Sequence, residues 1–65
     1  MTYHPIVAVN DEHKARDVLS VLSLAGVYGV YRSQITHWSV CVRIADVRKA
    51  DSALSIAVES GDLTL

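Results

Sequence analysis

The residues of this chain able to do chemistry are three histidines (His4, His13 and His37), a single cysteine (Cys41) and a handful of carboxylates. Imidazole is the commonest protein ligand for zinc and related metals, so a metal centre is the first chemistry to test. The spacing argues against it: no two histidines stand at the i, i+4 offset of a helix face, and neither CxxC nor HxxxH occurs. Cys41 falls in the middle of an expected strand, away from any turn. Nucleophilic catalysis would need that thiol, or a serine, beside a base that a third group orients. Arg43 lies two residues along, on the same strand face, where its cation would lower a thiol pKa. No base accompanies it, and Cys41 reads as a small half-buried residue. Asp11, Glu12 and Asp17, like Asp46 and Asp51, occupy helix starts and solvent faces, so no pair of carboxylates marks general acid–base work. Gly26, Gly29 and Gly61 follow helices or sit within a strand, which excludes a glycine-rich phosphate cradle between strand and helix. The expectation is a chain with no catalytic residue, no bound metal and no cofactor.

Composition narrows the remaining classes. Of 65 residues, 51% are apolar and 20% charged, with a formal net charge of −1. This is too apolar and too weakly charged for a disordered tail. The near-neutral balance supplies no field to hold nucleic acid or an anionic membrane, so partners must be found by shape and apolar contact. One cysteine cannot form an intrachain disulfide, which excludes a disulfide-rich secreted scaffold and makes the cytoplasm the expected compartment. No basic region followed by a long apolar run opens the chain, and no apolar stretch approaches the about 20 residues of a spanning helix, so neither export nor insertion is expected. A chain of this length buries only about 60% of its unfolded surface. A single domain over 1–65 is expected, stabilised by unusually good packing or by self-association.

The elements follow from periodicity. His4 to Val9 is a β-branched run closed by Asn10-Asp11, and predicts a first strand. Ala15, Val18, Leu19, Leu22 and Ala25 recur at i, i+3, i+4 and i+7, with Asp11 and Glu12 where the dipole favours acids and Gly26 as a left-handed stop. They predict a helix. Val27 to Ser33 is β-rich and predicts a second strand. Trp38, Val40, Val42 and Ile44 alternate with Ser39, Cys41, Arg43 and Ala45 and predict a third, with the larger set facing the core. Asp46 is expected to cap a second helix buried through Val47, Ala50, Ala53, Leu54, Ala57 and Val58 and ending at Gly61. Asp62 to Leu65 is a candidate fourth strand. The fold class is therefore α+β, a ferredoxin-like βαββα(β) arrangement with an antiparallel sheet covered by two helices on one face.

The uncovered sheet face is where function is expected. RNA-binding sheets of this layout stack bases on central aromatics, but here that face offers Ser39, Cys41 and Arg43, and Trp38 points the other way. Gly29, inside a strand, marks a bulge or a close approach of another backbone. Tyr31 and Arg32, on an expected edge strand, are candidate contact residues, as is Tyr28. Val21 and Leu24 fall beside the stripe of the first helix and Ile56 opposite that of the second, while Ile6 or Val7 must face the uncovered side. Several exposed apolar side chains on so small a domain indicate a patch that a partner or a second copy covers.

The stretches AVNDEHKARDVLSVLSLAGVYGVYRS and VCVRIADVRKADSALSIA resemble the small prokaryotic "signal transducing protein" domains. The likeness runs over residues 5–58 and rests on Ala25-Gly26-Val27 after the first helix, on Val40-Cys41-Val42, and on the span Ala50 to Leu54. The layout is also similar to ACT-type regulatory domains, with Asn10-Asp11 where those carry a ligand-binding glycine. Either resemblance implies a non-catalytic binding or regulatory module. The function expected is an interaction domain acting through a sheet edge or open sheet face on another protein, as a homodimer. A phage or mobile-element inhibitor of a host protein is one form of it. The alternative is a small-molecule sensor with a pocket at a dimer interface.

Overall fold

The computed structural model describes residues 2–65. Its elements run β1 (Tyr3–Val9), α1 (Glu12–Leu24), β2 (Gly29–Ser33), β3 (Trp38–Arg43), a 3-10 turn (Ile44–Asp46) and α2 (Val47–Ser60). The fold is α+β: one three-stranded antiparallel sheet in the order β1-β3-β2, with two helices. Since β3 is antiparallel to both neighbours, β1 and β2 run the same way on either side of it. Antiparallel neighbours could be joined by a tight turn, but this pair needs a crossover, which α1 supplies.

Local chemistry sets the helix ends. The Asp11 carboxylate accepts the Lys14 backbone N–H at 2.8 Å, satisfying one of the donors a helix start leaves free. At the other end Gly26 takes φ +79°, its N–H donates to the Ser23 carbonyl at 3.0 Å, and the Val27 N–H returns to Leu22 at 2.8 Å. After α2, Gly61 (φ +81°) donates to Val58 and Asp62 to Ala57 in the same pattern. A side chain at either glycine would meet the left-handed penalty, so both stops depend on residue type.

The core is a single cluster between sheet and helices. Ala15, Val18 and Leu22 of α1 and Ala50, Leu54 and Ala57 of α2 close over Val9, Val40 and Val42, with Val27 and Leu63 sealing the ends. Here α1 lies over β2 and β3, while α2 reaches β1 and β3. The chain enters α1 at one end of the sheet and α2 at the other, so the helices are antiparallel.

Several expectations are corrected. Ile44 leaves the alternation of β3: the chain turns into the 3-10 segment there, and its side chain is 63% exposed. Asp46 stands before α2 but makes no capping hydrogen bond through its side chain. Val27 and Tyr28 precede β2 rather than belonging to it, because the Gly26 turn spends Val27 on closing α1. Neither Ile6 nor Val7 faces the uncovered side; both pack against the core, since a register irregularity between Pro5 and Val7 inserts an extra residue into β1. Val58 is exposed at the margin of its stripe. Residues 62–65 form no strand: the Asp62 and Leu63 N–H groups are both spent on the Ala57 carbonyl, and Leu63 is buried as a plug.

Candidate interaction surfaces

Alternation and register place Pro5, Ala8, Val30, Arg32, Ser39 and Arg43 on the face away from the helices. Cys41 is at its centre, 4% exposed, flanked by Pro5 on one side and Val30 on the other. Its thiol is therefore enclosed by the sheet's own neighbours. Nothing of the described chain packs over this face as a layer, and its charged residues, Arg32 and Arg43, are both basic and exposed.

The sheet has two edges of different character. The edge strand β1 contains Pro5, which lacks an N–H, and its register breaks beside it. Both features are devices that obstruct pairing with a further strand. By contrast β2 pairs with β3 through an unbroken register, from Gly29↔Val42 to Ser33↔Trp38, and contains no proline. Gly29 is required by close approach: a Cβ there would come within 2.8 Å of Leu19 Cδ2 and 3.3 Å of the Cys41 carbonyl oxygen. The glycine thus lets α1 settle onto the start of this edge.

Tyr31 faces the helix layer. Its hydroxyl donates to Glu12 Oε2 at 2.8 Å, and its ring lies 5.5 Å from that of Trp38, tilted by 52°. Arg16 completes the cluster, its Nε donating to the Tyr31 hydroxyl at 3.4 Å and its Nη2 to Glu12 at 3.2 Å. The Tyr31 hydroxyl, with Glu12 behind it, holds the guanidinium above its ordinary pKa. Of the candidate contact residues on and beside β2, Arg32 therefore reaches solvent on the open face, Tyr28 is 65% exposed just before the strand, and Tyr31 is committed to α1. Sequence reasoning overlooked Val30, which register places beside Cys41 on the open face; the strand's alternation carried that signal.

Leu24 and Ile56, from different helices, meet on the outer side of the helix layer. They line one shallow groove with Val21, Ala25 and Ala53. Leu24 is 91% exposed and Ile56 63%. Helical spacing shows that each lies off its buried stripe, but only the antiparallel packing brings them together.

The histidines remain apart. His13 is an exposed residue of α1, 3.8 Å from Asp17, and His37 bonds through Nδ1 to the neighbouring Thr36 hydroxyl in the β2–β3 connection. Among the described residues no three His, Cys, Asp or Glu side chains gather as a metal site, and no helix is long and apolar enough to cross a membrane. Compared with known protein families, with curated proteins and with solved structures, the chain matches none of them.

Proposed function

We propose that this is a non-catalytic protein-interaction or regulatory module of the cytoplasm, ferredoxin-like in architecture, that takes an extended segment of a partner protein along the outer edge of β2. The architectural reading is supported by two parallel strands flanking an antiparallel third with a helical crossover between them, the split β-α-β arrangement. The observation that carries the functional reading is the contrast between the edges: β1 holds a proline and a register break, and β2 neither. An added strand gains main-chain hydrogen bonds, and pockets or charges beside the edge select its side chains. Val30 and Arg32, neighbours at i, i+2 on the open face, favour a segment presenting an apolar residue and a carboxylate two residues apart, in an order set by the direction in which the segment pairs. An inhibitor from a phage or mobile element that binds a host protein would use this edge in the same way.

Selection of a displayed random-peptide library on the immobilised domain tests this, with backbone amide shifts as the map. Enriched peptides should carry an apolar and an acidic residue two positions apart, perturb the amides of Gly29–Ser33 and lose their binding to an Arg32→Glu variant. Perturbations confined to β1 or the helices would overturn the reading. So would an empty selection accompanied by a specific thermal-shift response to an amino acid or nucleotide, which would favour the sensor.

A further inference from the structure

We infer that the groove between α1 and α2 is the contact between two copies of this chain, packed antiparallel about a two-fold axis through the groove's middle. This surface lies on the helix layer, away from the outer edge of β2, so it adds to the interaction reading and does not depend on that edge.

Shape gives the first argument. Leu24 and Ile56 stand as exposed apolar ridges beside a floor of Ala25 and Ala53. A two-fold operation sets the ridges of one copy over the small residues of the other, which is the self-complementarity an isologous contact needs. Most of the cost of exposing Leu24 and Ile56 to water would be removed by that burial.

Charge gives the second and fixes the direction. At one end of the groove α1 stops and α2 starts, and there the Lys49 ammonium lies 3.5 Å from the point a side chain on Gly26 would occupy. At the other end the carboxylate of Asp62, held by the Ser60 hydroxyl at 3.0 Å, lines the groove. One copy thus presents a cation at one end and an anion at the other. A two-fold axis across the groove places Lys49 of each copy against the partner's Asp62, twice; a parallel arrangement would set like charges together. Charges so placed fix register and orientation more than they add affinity.

Size is consistent with a second copy. The Cα atoms extend 30 × 27 × 13 Å, a two-layer slab. That 30 × 27 Å outline bounds what one copy can bring to a contact, and the bound reaches the ~800 Å² that each partner contributes to a standard interface. The open sheet face, on the far side, stays free in such a dimer.

Sedimentation equilibrium of the full chain from low to high micromolar concentration tests the inference, with circular dichroism as the check on folding. The wild type should be a dimer that dissociates on dilution. Leu24→Glu should weaken it at least about tenfold with the fold intact, as expected when a charge replaces an apolar side chain that the contact buries. Lys49→Asp and Asp62→Lys should each weaken the dimer, and the double exchange should restore it, because reciprocal pairs re-form in both halves of the interface. Arg32→Glu, which addresses the β2 edge, should leave the dimer unchanged while abolishing peptide capture. A persistent single-chain mass at high micromolar concentration would overturn the inference, as would a dimer indifferent to Leu24→Glu or a double exchange no better than the singles. Loss of the dimer in Arg32→Glu would move the contact to the sheet and overturn it too.

Discussion

The two edges of the sheet share one central strand yet differ in how they meet solvent. The longer edge, β1, interrupts its own ladder with Pro5 and an inserted residue, and both Ile6 and Val7 turn inward to line a groove with Leu54, Val58 and Leu65. The shorter edge, β2, keeps a regular ladder and is anchored from below, through Gly29 under Leu19 and Tyr31 against Glu12. One edge is kept from pairing by its backbone. The other is left able to pair and is held rigid by its side chains, which lowers the ordering cost of accepting a strand.

That contrast can be broken most severely at Gly29. A valine there brings side-chain atoms into the Leu19 methyl and the Cys41 carbonyl, and should cost about 1–3 kcal/mol in urea unfolding, the range for overpacking a tight site. If the loss were negligible, α1 would not be seated on this edge as closely as the 2.8 Å approach requires. A milder blow is Tyr31→Phe, which keeps the ring on Trp38 and deletes the hydroxyl that links Arg16 and Glu12. It should cost about 1 kcal/mol and loosen the edge, seen as faster amide exchange across Gly29–Ser33. Exchange rates equal to those of the wild type would remove the anchoring role. The smallest effect on stability is expected from Pro5→Thr, less than about 1 kcal/mol, since the main change is freedom regained by the unfolded chain. Its value is in sharpening the comparison: a restored N–H should make β1 prone to edge association, measured as concentration-dependent light scattering.

Much of this was legible before the structure. Both helices are readable because their apolar residues keep helical spacing and a glycine follows each. The alternation from Trp38 to Val42 gave β3 its faces correctly. It failed at Ile44 because a period of two cannot tell a strand's last residue from the first residue of a turn that happens to be apolar. The run Ile6-Val7-Ala8-Val9 has no alternation at all, so the register break that sends both Ile6 and Val7 inward left no trace in periodicity; Pro5 was its one visible sign. Tyr28 looked like strand by composition, yet its neighbour Val27 was already committed to closing α1. Among the candidate contact residues, Leu24 and Ile56 were visible singly as apolar positions off the stripe. Their meeting in one groove, with Lys49 and Asp62 at its ends, depends on the relative direction of two helices, which no local pattern encodes.

The buried cluster contains no polar or charged side chain among the described residues, being built of valine, leucine and alanine with Cys41 beneath the open face. Such an interior is tolerant of drift: exchanges that keep volume cost little, and no buried hydrogen bond penalises an alternative packing. Uniqueness must then come from the perimeter, where Asp11 caps α1, Gly26 and Gly61 take left-handed turns, Gly29 leaves room for Leu19, and Tyr31 ties β2 to α1. Saturation mutagenesis of this chain would accordingly separate two kinds of site: a centre that accepts apolar exchanges of similar volume and rejects polar or much smaller side chains, and rim positions that each turn on the chemistry of one residue.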